Sequence, residues 1–482
     1  MSKPIIMIQK LAFSILIFLL SSTVFSQNNI EVHFPGAENR VAHVWAYTDY
    51  ISYNRKEIST NNINAKGEFS FKLKLNNPKP VFIQVAFFRV QLFLEPNRDY
   101  VIEIDKVDFN NEDLYPSNVI AYLAPKYKIV SPTDHELNNG IFESEEMFSA
   151  FVDSNYLALI RGQNAKFLVD SFASELDNFI SDYNNKYLKD YTALQMAQLR
   201  LLSHDYSTQM VVDKYFKGKA LTLNDPSLMR FFNSFWSNYI VNKAKGFSPS
   251  GLDSAINIDK SYQVLSALLS RDPLLKDKVL RELVILRNII QMYHSDRFDK
   301  SALIDILYDI SRSKLRKEHQ MIAVNVRKRL QSFDRGNKVP DFEFTDIHGD
   351  KFKLSDFEGM YVYINVWNMN CADCLPEMEY TKELYEEYDD IIKFISISVD
   401  ADTATMASYV KSREYNWLCA PLGENFQFLN DYNIGVLPHY ILIDKEGKLE
   451  MLNAPTPSDH FSDIFLKMLN DKRGNLKVKR QY

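Results

Sequence analysis

The sequence predicts a multidomain α+β chain: a β-sandwich-like N-terminal domain, a helical middle region and a C-terminal α/β domain. Three observations carry that expectation. At 482 residues the chain exceeds the roughly 250 to 300 at which a single core stops growing. Its apolar residues pass from strict alternation to helical spacing and then to continuous runs between helices. Glycine is scarce at 14 residues against 33 Phe and 27 Tyr, which suits helical and strand cores better than a loop-rich disulfide scaffold.

Residues 1–26, "MSKPIIMIQKLAFSILIFLLSSTVFS", read as a signal peptide. Lys3 and Lys10 give the positive region, Leu11 to Leu20 the apolar core, and Val24 and Ser26 a small cleavage site. The apolar run ends in Ser21, Ser22 and Thr23, short of the about 20 residues a membrane anchor requires. The expectation is therefore export to the periplasm or cell envelope, with no stable membrane span after cleavage. No cysteine follows the apolar core, so lipid attachment is not indicated.

Residues 27–115 read as a β-rich domain. "RVAHVWAYTDY", "GEFSFKLKL", "PVFIQVAFF", "VQLFLEP" and "YVIEID" are short runs separated by turn residues. Phe69, Phe71, Leu73 and Leu75 alternate with polar residues, as in a strand with one buried face. This domain has no cluster of acids, histidines or glycines that would carry chemistry, and docking or dimerisation is its expected role.

Residues 116–335 read as a helical region. Phe148, Phe151, Val152, Tyr156, Leu159 and Ile160 fall on one helical face. Asp272 and Pro273 are read as the N-cap and first residue of a helix carrying Leu283, Leu286, Ile290 and Tyr293. Gly336 and Pro340 then mark a stop and a turn to strand.

Residues 336–475 alternate strands and helices, and 476–482 form a basic tail. With a net charge of −6 and no long basic run, nucleic acid is not expected as a partner. The chemistry concentrates in "NVWNMNCADCLPEM", residues 365–378. Structural zinc requires four ligands, and no second C-x-x-C or H-x-x-x-H accompanies this pair. Three cysteines are too few for a disulfide framework in an exported chain, which leaves Cys371 and Cys374 as one redox pair. Both are read at the start of a helix over 375–389, where unsatisfied N–H groups and the helix dipole favour thiolate. Cys371, read as exposed, would be the nucleophile, and Cys374, one turn in, would resolve the mixed disulfide. No cofactor or metal is called for.

The run "KVPDFEFTDIHGDKFKLSDFEGMYVYINVWNMNCADCLPEM" followed by "YNIGVLPHYILIDKEGKLE" resembles the TlpA/ResA-like branch of the thioredoxin family of thiol-disulfide oxidoreductases. The resemblance covers the C-terminal domain and implies a thioredoxin-like fold, protein thiol or disulfide substrates and an envelope electron donor. It makes Pro438 the cis-proline beside the redox pair and Glu377 a candidate for proton handling. More weakly, "GEFSFKL" and "FLEPNRDYVIEID" are similar to a β-rich module found before such domains in exported bacterial proteins. Several positions depart from the family pattern. Asn370 replaces the usual Trp, Asp373 a common Pro, and Glu379 another Pro, while Pro376 sits earlier. Asn365 stands where a thioredoxin has its buried carboxylate, and Asn368 where a thiol peroxidase would need Thr. Asp373 is expected to oppose thiolate formation and so bias the pair towards a low-potential reductant. Cys419 is expected to be a buried inert thiol, and His439 a structural strand histidine. Disulfide reduction is the leading reading; the alternative is an envelope binding or scaffold protein whose redox domain is weakly active or vestigial.

Overall fold

The computed structural model describes residues 27–109, 111, 120, 122–162, 164–332 and 334–479. The signal peptide read over 1–26 and the last three residues of the tail lie outside the described residues.

Two four-stranded sheets form the N-terminal region from β1 (Asn28–His33), β2 (Val41–Tyr47), β3 (Arg55–Asn62), β4 (Glu68–Leu73), β5 (Lys79–Val85), β6 (Phe88–Leu94), β7 (Tyr100–Ile104) and β8 (Tyr127–Ser131). Their orders are β4-β1-β7-β8 and β3-β2-β5-β6. The alternation in β4 does what a half-buried strand requires: Phe69 and Phe71 face inward while Glu68, Ser70 and Lys72 face water. Ile30, Val32 and Ile102 of one sheet and Val44, Val81 and Ile83 of the other belong to one buried apolar cluster. β3, "RKEISTNN", is largely polar, as an edge strand can be, and so left no hydrophobic signal. β8 pairs antiparallel with β7, so the sheet takes a strand from beyond residue 115.

The helical region begins with α1 (Leu137–Arg161), α2 (Ala165–Tyr183) and α3 (Lys186–Leu202) and continues through α4 (Pro226–Phe235), α5 (Lys278–Met292), α6 (Lys300–Ser311) and α7 (Lys317–Gln331), with shorter turns between. Phe151 of α1 stacks on Phe172 of α2 with centroids 4.3 Å apart. Tyr156 and Ile160, read on the same face, are exposed at the far end of α1. Asp272 caps only a short 3-10 turn at Pro273–Leu275. The long helix starts later because Asp277 takes up the N–H groups of Val279 and Leu280 at 2.8 and 3.0 Å.

The C-terminal domain opens with a hairpin, β9 (Glu343–Thr345) and β10 (Lys351–Lys353), followed by β11 (Tyr361–Trp367), α8 (Cys374–Tyr388), β12 (Ile392–Ser398), α9 (Thr403–Ser412), β13 (Leu418–Pro421), α10 (Phe426–Asp431), β14 (His439–Ile443), β15 (Leu449–Met451) and α11 (Phe461–Lys479). Helix α11 runs through Lys479, into the stretch read as a tail from 476. Five strands form one sheet in the order β13-β12-β11-β14-β15. All seven residues of β11 are buried, as expected of a central strand covered on both faces. β12 runs parallel to it and β14 antiparallel.

The sandwich and this domain share one contiguous apolar cluster. Phe87 meets Phe426 edge-on with centroids 4.6 Å apart, and Arg40 pairs with Glu424 at 3.2 Å.

Candidate redox site

β11 carries the chain to the edge of the sheet where sites form in α/β folds. Its last residue, Trp367, is followed by a turn whose Met369 N–H donates to both carboxylate oxygens of Asp400, at 3.0 and 3.2 Å. The Ser398 hydroxyl also donates to Asp400, at 2.6 Å. Asp400 follows the end of the parallel strand β12, so two neighbouring strand ends are tied together ahead of Cys371. No motif pointed to Asp400. The available signal was its place just after an apolar strand run, "FISISVD".

Cys371 lies in the turn and Cys374 is the first residue of α8, with a disulfide between them at 2.09 Å. The sequence reading set both cysteines at the start of a helix over 375–389; the structure begins that helix at Cys374 and keeps Cys371 ahead of it, with the Cys374 N–H donating to the Cys371 carbonyl at 3.0 Å. It also made Cys371 exposed, whereas both cysteines are 0% exposed in this state. The physical reason is packing: Cys371 belongs to the domain's apolar cluster, and the S–S bond ties its sulfur to Cys374 at the buried start of α8. Asp373 occupies the N-cap with no side-chain cap bond, and its side chain is exposed. Behind the pair, Met378, Leu384 and Tyr388 are buried and Leu375 is half-buried.

Pro438 follows a cis peptide bond with Leu437. The register pairs Val366 with His439, which brings Pro438 to the end of β11 from which the redox turn leaves. The loop before it is also held from outside the domain: the Ile120 N–H donates to the Gly435 carbonyl at 2.9 Å. On the other side of Ile120, Leu123 bonds the backbone of Phe87 and Arg89, so the sandwich reaches the proline loop directly. Nothing local in either sequence segment announces this contact.

Glu377 is half-buried in the first turn of α8. One of its oxygens accepts from the Ser458 N–H at 3.1 Å and the other from the Ser458 hydroxyl, which joins α8 to the segment before α11. Burial pushes the phenols of Tyr440 and Tyr363 above their ordinary range, with Glu377 adding to it at Tyr440, and Tyr440 and then Glu377 at Tyr363. The carboxylate thus faces a layer of neutral, buried phenols.

Asn365 is buried, and its amide donates to the Met378 sulfur at 3.0 Å. It offers no ionisable group where the thioredoxin pattern has one. Burial lowers the pKa of His439, against an opposing hydrogen bond with the Leu452 backbone, so its ring is neutral near pH 7. Burial pushes the Cys419 thiol up, which makes it unreactive.

Residues 334–465 match the Redoxin family. The chain is similar to the thiol-disulfide oxidoreductase ResA of Geobacillus kaustophilus, with 33% identity over 124 residues, 25% of this chain and 70% of the relative. It is 32% identical to ResA of Bacillus cereus over 115 residues, 24% of this chain and 66% of that relative, just under two thirds of its length. Among solved structures, the thioredoxin domain of a thiol-disulfide oxidoreductase from Bacteroides vulgatus is 25% identical, covering 28% of this chain and 96% of that chain with a TM-score of 0.26.

Proposed function

Because this chain belongs to the ResA-like thiol-disulfide oxidoreductases, we propose that it is an exported reductase of protein disulfides, with Cys371 as nucleophile and Cys374 as resolving thiol. The observation that carries this reading is the closed Cys371–Cys374 bond at the start of α8. In the reduced enzyme the helix N-terminus favours a thiolate. The Cys371 thiolate attacks one sulfur of a substrate disulfide, and the other sulfur leaves as a thiolate that takes a proton. Cys374, deprotonated, then attacks the Cys371 sulfur, releasing the second substrate thiol and closing the enzyme disulfide. The substrate gains two electrons and the enzyme pair loses two. A dithiol donor in the envelope restores the pair by the same exchange in reverse.

Two positioning roles complete the proposal. Pro438 gives the substrate chain a backbone edge beside the pair. Glu377 relays the proton that Cys374 gives up, since Asn365 has no carboxylate for the task. Export rests on the signal-like residues 1–26 and on the sparing use of cysteine.

Trapping with Cys374→Ser tests the mechanism. Mixed disulfides joined through Cys371 are expected on non-reducing gels, and adding Cys371→Ser should remove them. Turnover of insulin disulfides should fall to background in either single variant. Cysteine-independent turnover, or the absence of any adduct, would favour a scaffold whose redox domain is vestigial.

A further inference from the structure

A cavity of about 690 Å³ opens in the helical region, in a part of the chain with no bearing on the cysteine pair. Its walls come from four separate segments: the turn after β2, residues 216–224, the start of α5 and the start of α7. Leu221, Leu223, Leu280, Leu283, Met321 and Ile322 make most of the surface apolar. A space of this size with few polar groups has the proportions of a small-molecule site.

The polar groups on the wall differ in how far the fold already uses them. The Asp49 carboxylate accepts from the Ile51 and Ser52 N–H groups at 2.9 and 2.6 Å. Asp277 caps α5 and accepts from the Gly218 N–H at 3.1 Å. Lys219 donates to the Lys214 carbonyl. These three are engaged within the fold.

Arg316 and His319 are not used up in this way. Arg316, an exposed residue, lines the cavity and has no side-chain hydrogen bond or ion pair among the described residues. It sits at the N-cap of α7, a helix of 15 residues with no side-chain cap, so the first N–H groups of that helix lack a capping acceptor too. His319, 3% exposed, directs Nδ1 to Glu282 at 2.8 Å. Glu282, itself 0% exposed, also accepts from the Ser313 hydroxyl at 3.0 Å. The other ring nitrogen, Nε2, has no hydrogen-bond partner among the described residues, and His319 lines the cavity. The acid on the wall with no side-chain partner among the described residues is Glu318, in the first turn of α7 and exposed to solvent.

From this arrangement we propose that the cavity binds an anionic amphiphile, an apolar chain or ring system carrying one carboxylate. The apolar body lies along Leu223, Leu283 and Ile322. The carboxylate meets Arg316 and the uncapped start of α7. An anion at a helix N-terminus, beside a guanidinium, gains charge-assisted hydrogen bonds that a neutral head cannot make.

Calorimetric titration of the full chain with decanoate, decanol and decyltrimethylammonium tests this. Saturable 1:1 binding of decanoate is expected, at least tenfold tighter than decanol and with no binding of the cation. Arg316→Ala, a change at an exposed side chain, should weaken decanoate at least tenfold while leaving Tm and insulin reduction unchanged. Leu283→Phe should exclude all three by filling the floor; retained Tm shows that the loss is not unfolding. Equal binding of decanoate and decanol, indifference to Arg316→Ala, or no saturable binding would each overturn the proposal. The measurement does not depend on the redox reading, since none of these residues belongs to the cysteine site.

Discussion

The redox turn and the wall of the helical cavity both bury polar groups, but they are built differently. The turn is nearly continuous in sequence: Asn365 to Met378 supply the strand end, both cysteines and the first helical turn, and Asp400 is the main outside tie. The cavity wall is assembled from four segments between Thr48 and Asn325, and its His319 is held from behind by the buried Glu282, with no motif around the pair. The difference lies in where the cost of burial is met. In the turn, backbone geometry and the S–S bond hold the sulfurs. In the cavity wall, each buried polar side chain depends on the other as its hydrogen-bond partner.

The largest expected effect follows from that dependence. Glu282→Ala would leave His319 buried without its partner, which costs about 3–5 kcal/mol when a buried pair is broken. Urea unfolding should show this loss while the reduction potential of the cysteine pair stays where it was. A cost below about 1 kcal/mol would mean that solvent reaches the pair more freely than its burial indicates, and the contrast between the two regions would fail.

A smaller effect is expected on the redox side. Asp400→Ala removes a carboxylate that accepts the Met369 N–H, and hydrogen bonds to charged groups contribute about 1.5–3 kcal/mol. Asp400→Asn keeps an acceptor and should recover much of the loss. Here stability and insulin turnover should fall together, because the turn that carries Cys371 loosens. If turnover is unchanged, the disulfide and the helix start hold the turn without Asp400.

The same contrast explains what could be read from the sequence. The cysteine pair and the central strand were legible because local pattern sets them, a C-x-x-C and an apolar run, whereas the proline loop was read only from the family resemblance. β3 was missed because an edge strand needs no apolar face. The helix start at Asp277 was misplaced to Asp272 because both acids satisfy capping rules, and only tertiary contacts choose. The buried Asp272 accepts from the Tyr239 hydroxyl at 3.1 Å and the Lys245 N–H at 2.6 Å, which fixes it in a turn. Ser458 on Glu377 and Ile120 on the proline loop join residues about 80 and about 315 positions apart, a range at which periodicity carries no information. The burial of Cys371 was missed because packing around the turn sets it, and a C-x-x-C spacing does not specify that packing.

The smallest expected effect isolates charge from structure. Asp373 is exposed and makes no capping bond, so Asp373→Asn should leave stability unchanged. It removes a negative charge next to both sulfurs, which makes the thiolate easier to form. Stabilising the reduced form raises the reduction potential, by an amount on the order of 10–30 mV for one solvent-screened charge. Equilibration with glutathione at low salt should show the rise, and adding salt should shrink it. A fall in potential would mean that Asp373 acts through the geometry of the α8 start rather than through its charge, and the redox turn would then resemble the cavity wall in depending on a specific side-chain contact.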